Sequence, residues 1–336
     1  MKGKAMKKKF IGKRIYQKEK CICIHVYTGI TSRFLSLMQA YYLARKYHIK
    51  NFIVIWRLED CCNIKYEDVF DSKQFADVNL TVFNYGFFPP DWGDGIGKCL
   101  HNRDIKGLLW DVREWARYFM WKIRNRKADR IMRYFQNENT FVKYHPPKEI
   151  GWSGESYHAW TEKCWERVRG YLESGTNCLI DVYAGIMAGQ NRTAPVDPKT
   201  LIFREKYLHK VEELITDGKW VGVHVRRTDH TGCIRESPLY VFVEKMKEIQ
   251  KKDKAVKFFL ATDDPQVEEE LCREFPERIV TYRDKVWGRN SQSGMESAIV
   301  DFLCLSRCDQ ILGSYGSVFS MFSAMYGGKE LIACRK

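Results

Sequence analysis

The sequence predicts an α/β protein in which short apolar strands alternate with amphipathic helices. Cys21–Tyr27 (CICIHVY) and Phe52–Trp56 (FIVIW) are almost unbroken apolar runs, the pattern of strands covered on both faces of a parallel sheet. Between them, Arg33–Tyr47 sets Phe34, Leu37, Met38, Tyr41 and Tyr42 on one helical face, which completes a βαβ unit. From Lys219 onward strand and helix repeat so regularly that a doubly wound, mostly parallel sheet follows.

In chain order, Thr28-Gly29 is a turn after the first strand. Val78–Phe83 reads as a further strand, and residues 84–105, rich in Gly, Pro, Asp and Trp, as a loop. Helical periodicity covers 111–136 and 156–173, and Asn177–Tyr183 is strand-like. Gln190–Lys199 holds two prolines and no period, which sets the expected boundary between domains 21–195 and 196–336. A helix from Phe203 to Asp217 ends at Gly218, a residue suited to a C-cap. The strand Lys219–Val225 follows, then the helix Pro238–Lys251 with proline at its start. Val256–Ala261 is a strand, and Thr262-Asp263-Asp264 caps the helix Pro265–Phe275. Arg278–Tyr282, Gln310–Leu312 and Glu330–Ala333 complete the strands; Gly294–Arg307 and Ser317–Tyr326 complete the helices.

The 336 residues are 45% hydrophobic with only 9 prolines, which excludes a disordered or collagen-like chain. No apolar run reaches the length of a membrane span, and the basic N-terminus lacks the apolar core of a signal peptide. The expected location is therefore cytoplasmic. The 12 cysteines form no C-x-x-C pair and have no clustered histidines, so they read as reduced core thiols rather than zinc ligands. The net charge of +14 divides into two patches. Residues 1–20, with nine Lys or Arg and one Glu, read as a basic tail that could hold the chain at the inner face of a membrane. Residues 103–133 carry ten basic and four acidic residues interleaved with Trp110, Trp115, Tyr118, Phe119 and Trp121. That pattern predicts a helix whose aromatics face the core and whose basic face meets solvent. Single-stranded nucleic acid or a membrane interface are its alternative partners.

In an open α/β sheet ligands bind beyond the carboxyl ends of the strands. In the second half those positions hold His224-Val225-Arg226-Arg227-Thr228-Asp229, Thr262-Asp263-Asp264 and Gly313-Ser314-Tyr315-Gly316-Ser317. Two guanidiniums supply forked donors for phosphate, and the N–H groups of Gly316, Ser317 and Val318 add the positive end of a helix. The expected ligand is a phosphate or diphosphate. No G-x-G-x-x-G follows a strand, and neither a P-loop nor a D-x-D occurs. The diphosphate is therefore expected to be neutralised by arginine and helix dipole, with no metal.

Gly222–Asp229 (GVHVRRTD), Leu260–Pro265 (LATDDP), Val300–Ser306 (VDFLCLS) and the Ser314–Ser317 loop resemble, in order and spacing, the signature blocks of α1,6-type and rhizobial chitin-oligosaccharide fucosyltransferases. Thr28–Arg33, Asp60-Cys61 and Phe70-Asp71 resemble their looser N-terminal pattern. The resemblance implies a GT-B fold: two facing Rossmann-like domains with a cleft between them. It implies an inverting, metal-independent transfer of L-fucose from GDP-fucose to a glycan acceptor. Arg226 and Arg227 would hold the diphosphate, His224 would lie near the nucleotide, Asp301 would contact guanine, and Ser317 would lie near the phosphates; Ser314 and Gly316 of the same loop are candidates from the loop's own pattern. Asp229 would sit near the sugar or support Arg227. The pattern departs at His230, where the mammalian α1,6 enzymes have Lys. Their downstream glutamate falls at Ile234 by strict count, or at Glu236 with two residues inserted, so Glu236 and Asp229 are the candidate bases. A GT-B transferase for another nucleotide sugar, or a basic protein binding nucleic acid or an anionic polymer, are the competing readings; no nucleic-acid partner is expected.

Overall fold

A computed structural model describes residues 15–86, 105–151, 154–182, 197 and 200–336. The first half runs α1 (Ile15–Lys18), β1 (Cys21–Val26), α2 (Ile30–Lys46), β2 (Asn51–Arg57), α3 (Tyr66–Val69), β3 (Asn79–Tyr85), α4 (Ile105–Asn137), β4 (Phe141–Tyr144), α5 (Gly154–Ser174) and β5 (Cys178–Val182). The second runs α6 (Glu205–Leu214), β6 (Trp220–Val225), α7 (Thr231–Glu236), α8 (Leu239–Lys252), β7 (Lys257–Thr262), α9 (Pro265–Glu274), β8 (Ile279–Val280), α10 (Gln292–Arg307), β9 (Gln310–Ser314), α11 (Val318–Gly327) and β10 (Glu330–Cys334).

Each half builds one five-stranded sheet, in the orders β3-β2-β1-β5-β4 and β10-β9-β6-β7-β8, with every ladder parallel. Every residue of β1 and β6 is buried, as the apolar runs require of central parallel strands. In the second sheet the chain winds outward from β6 to β7 and β8, then returns to β9 and β10 on the other side. The strand order reverses between β6 and β9, where such folds bind ligands.

The predicted elements are present, with shifted ends and four differences. The sequence reading passed over α1, α3, β4 and α7. Strand β4 is an edge strand of four residues, too short to show a period, and α7 is little more than one turn. The strand expected over Arg278–Tyr282 shrinks to Ile279–Val280. The basic tail is anchored before its expected end: Tyr16 is buried against Tyr134 and Phe135, and Asn177 binds the carbonyls of Tyr16 and Glu19. The fourth difference is α4. Its Ala128, Ile131 and Phe135 cover the first sheet, and Trp121 and Asn125 bond Gly86 at the end of β3. Trp115, Phe119 and Ile123 do not face the core; Phe119 is 56% and Ile123 66% exposed. The helix carries apolar residues on two opposite sides, and the sheet takes only one. Residues 87–104 and most of Gln190–Lys199 lie outside the described residues, as does Trp110's side chain.

One apolar core runs between the sheets. Phe34 of α2 meets Phe70, Phe203, Phe302 and Phe322 with ring centroids 5.2–6.0 Å apart. Each buried phenyl contributes roughly 1.5–3 kcal/mol, so the halves are joined by core rather than by a wet interface. Phe70 and Phe203 form an isolated antiparallel bridge, which fastens the connection into α6 onto the first half. At the other side of the join, the Asn63 backbone N–H donates to the Arg289 carbonyl at 3.1 Å, and Asn63 Nδ2 to the Asn290 carbonyl at 2.8 Å. Asn63 follows β2 and Arg289 follows β8, so the carboxyl ends of both sheets open onto one region.

Candidate functional site

The site is assembled at the carboxyl ends of β6, β7 and β9. The register pairs His224 with Gly313 across β6 and β9, which sets the next residues of both strands side by side. The Arg226 N–H donates to Ser314 Oγ at 3.0 Å. Ser317 N–H closes a turn onto the Ser314 carbonyl at 3.1 Å, through Gly316 at φ +74°, a conformation that suits glycine. Ser317 then begins α11, and no side chain caps that helix start. Its first N–H groups therefore have no side-chain cap and present the positive end of the helix.

Arg226 and Arg227 have different surroundings. Arg226 pairs with Asp229 and, through Nε, with Asp263 Oδ2 at 3.3 Å. Arg227 is half-buried and its guanidinium donates to the Arg226 carbonyl at 2.9 Å and the Ser237 carbonyl at 3.0 Å. Two of its five donors are thereby spent on holding the loop. Asp263 organises both residues: it accepts from the Arg227 N–H at 2.7 Å and the Thr228 hydroxyl at 2.7 Å. Burial raises the Asp263 pKa, but the Thr228 hydrogen bond and Arg226 outweigh it and leave the carboxyl below its usual range. Asp229 supports Arg226 rather than Arg227, and also accepts from Arg289 Nη2 at 2.5 Å. Its place three residues after Arg226 in a tight turn makes that pairing. Burial opposes ionisation of Asp229, yet Arg289 and Arg226 hold its pKa low. Three guanidiniums face two carboxylates here, leaving an excess positive charge at the mouth of the switch point.

His224 is buried. Its Nδ1 lies 2.7 Å from Ser320 Oγ and its ring stacks on Phe319 at 4.8 Å. Burial, then the charge of Arg226, pushes its pKa down to about 3, so the imidazole is neutral at pH 7. Asp301, on α10, is 6% exposed and bonds Lys285 Nζ through Oδ2 at 3.1 Å. Its Oδ1 is buried and has no hydrogen-bond partner. Burial pushes its pKa up to about 6 against the pull of Lys285. A buried carboxylate oxygen with no donor is costly, and a ligand N–H would satisfy it.

The structure thus gathers His224, Arg226, Arg227, Asp229, Ser314, Gly316 and Ser317 at one place. Glu236, at the end of α7, lies between Arg235 at 3.0 Å and Arg335 at 3.2 Å, and Arg335 stacks on Tyr315 at 4.3 Å. Those hydrogen bonds, Arg235's first, hold its pKa below the usual range. Arg289 and Lys285 were missed in the sequence reading, although they follow β8, the one strand of this half before β10 whose carboxyl end it did not inspect. Ser237 and Ser320 give no sequence signal. Among the described residues, no cluster of three or more His, Cys, Asp or Glu side chains could hold a metal ion. Of the cysteines, Cys21, Cys23, Cys62, Cys164, Cys178, Cys233, Cys304, Cys308 and Cys334 are buried free thiols. No described helix is long and apolar enough to cross a membrane.

No family model matches the chain, and no curated protein does. Solved structures do. A mutant of Arabidopsis thaliana FUT1 in complex with GDP is 12% identical over 93% of this chain and 69% of that one, with a TM-score of 0.50. Fucosyltransferase NodZ from Bradyrhizobium is 19% identical over 91% of both chains, with a TM-score of 0.47. The apo form of POFUT1 is 11% identical over 94% of this chain and 97% of that one, with a TM-score of 0.49. The fold class is α/β, GT-B: two parallel Rossmann-like sheets, a fold shared with the Arabidopsis thaliana FUT1 structure.

Proposed function

We propose that the chain is an inverting glycosyltransferase that moves L-fucose from GDP-fucose to a glycan hydroxyl without a metal ion. The observation that carries this reading is the junction of Arg226 and Ser314, which sets two arginines beside the uncapped start of α11 at the sheet's switch point. An acceptor oxygen attacks the anomeric carbon, the bond to the β-phosphate breaks, and negative charge grows on the departing diphosphate. Arg226, Arg227 and the N–H groups of α11 meet that charge as preorganised donors. Asp229 and Asp263 fix the Arg226 fork. The free Oδ1 of Asp301 suits the adjacent N1–H and N2–H donors of guanine. The neutral His224 lines the site without adding charge.

Asp229 and Glu236, the carboxylates that the sequence offers as bases, each lie between two arginines, which makes them poor proton acceptors and good anchors. Contact with an anionic membrane through the basic residues 1–20 belongs to the same proposal and rests on their charge. Calorimetry with GDP, GDP-fucose and UDP, each with and without a chelator, tests the reading. GDP and GDP-fucose should bind with the chelator present and UDP should bind more weakly. Preference for UDP would assign another nucleotide sugar, and loss of binding with chelator would contradict metal independence.

A further inference from the structure

Asp229 and Glu236 are each held by two arginines, and the first sheet offers a different candidate base. His25 and Asp181 are register partners on the adjacent strands β1 and β5, and His25 Nδ1 lies 2.7 Å from Asp181 Oδ1. A carboxylate only accepts, so Nδ1 carries a proton, and in the neutral ring Nε2 presents its lone pair. His25 is 7% exposed, and its Nε2 is buried with no hydrogen-bond partner. The ring is flanked by Tyr27 at 5.4 Å and Tyr85 at 6.1 Å. A ligand hydroxyl would satisfy that buried nitrogen.

The pair occupies the carboxyl ends of β1 and β5, where β1 has β2 on one side and β5 on the other. The next residues lead to the join with the second half. Thr28 N–H donates to Glu59 Oε1, Arg33 bonds the same oxygen at 2.8 Å, and Asn63 meets Arg289, the residue that grips Asp229. This relay of contacts connects the turn that follows β1 to the loop that carries Arg226 and Asp229.

We infer that His25, oriented by Asp181, is the general base of the transfer, an inference that rests on the fucosyl-transfer reading above. The lone pair of Nε2 takes the acceptor hydroxyl proton as the oxygen–anomeric carbon bond forms. The electrons of the breaking bond leave on the β-phosphate oxygen of GDP. The resulting imidazolium is held by the Asp181 carboxylate and returns its proton to solvent after product leaves.

The probe is GDP-fucose with water as acceptor, followed as GDP release, with GDP affinity measured beside it. His25→Ala should lower turnover by about 10²–10⁴-fold and leave GDP affinity within two-fold, and added imidazole should restore part of the rate. Asp181→Asn, which keeps the shape of the pair, should lower turnover with the same unchanged affinity. Wild-type turnover in His25→Ala would overturn the inference, as would turnover and GDP affinity falling together with no imidazole rescue. Wild-type protein that binds neither GDP nor GDP-fucose would instead bring down the donor reading, and the inference with it.

Discussion

The Arg226 N–H and the Ser314 hydroxyl oxygen, 3.0 Å apart, tie the end of β6 to the end of β9 where the strand order turns back. Ser314→Ala leaves that N–H without a partner, which costs about 1–3 kcal/mol. The thermal midpoint should fall by several degrees, and GDP affinity by roughly ten-fold for each 1.4 kcal/mol lost at the bound loop. Scanning calorimetry and a GDP titration check both; an unchanged titration would separate this junction from the ligand.

Arg226→Ala and Arg227→Ala should each retain the fold and lose transfer. Removing one donor that meets transition-state charge costs roughly 3 kcal/mol of barrier, or on the order of 10²-fold in turnover. Arg227→Ala should also lower the midpoint more than Arg226→Ala, because Arg227 bonds two carbonyls of its own loop. Turnover at the wild-type rate in either variant would remove that arginine from the chemistry.

Asp301 makes stability and binding depend on pH. Its pKa of about 6 in the fold lies above the usual carboxylate value of 3.8. For a raised acid, the stabilising contribution is full below the unfolded value and is lost as pH climbs toward 6. Guanine N–H donors favour the carboxylate, so GDP-fucose should bind more tightly at pH 7 than at pH 5. Binding near pH 6 should release a proton, visible as a heat that varies with the ionisation enthalpy of the buffer. Asp301→Asn should abolish the proton release, weaken GDP binding and lower the ligand-free midpoint, because the buried Lys285 loses its partner. A binding heat independent of buffer would refute this role.

Gly313 leaves no room for a side chain. A Cβ there would lie 2.5 Å from Ser320 Cβ and 2.7 Å from its Oγ, so Gly313→Ala must push α11 away and draw Ser320 from His224. Overpacking of this kind costs about 1–3 kcal/mol. The midpoint and GDP affinity should fall together, whereas a drop in midpoint alone would show that α11 does not touch the ligand.

The second sheet was readable because each strand is a short apolar run closed by turn residues, and Asp264 and Pro265 mark a helix start by their own chemistry. From that alternation follow the carboxyl ends, and from them the meeting of Arg226 with the Ser314–Ser317 turn. Contacts made by tertiary approach gave no such signal: Ser320 reaches His224 over 96 residues, and Asp181 reaches His25 over 156. The exposed side of α4 was misread for a related reason. Periodicity shows that a helix has apolar residues, but with two apolar sides it does not say which one the sheet covers.

A crystal structure with GDP and no added metal tests the central claim most directly. The diphosphate should lie between the Arg226–Arg227 loop and the first turn of α11, with the guanine edge on Asp301 Oδ1. A nucleotide bound elsewhere, or a diphosphate out of reach of both arginines, would contradict the account.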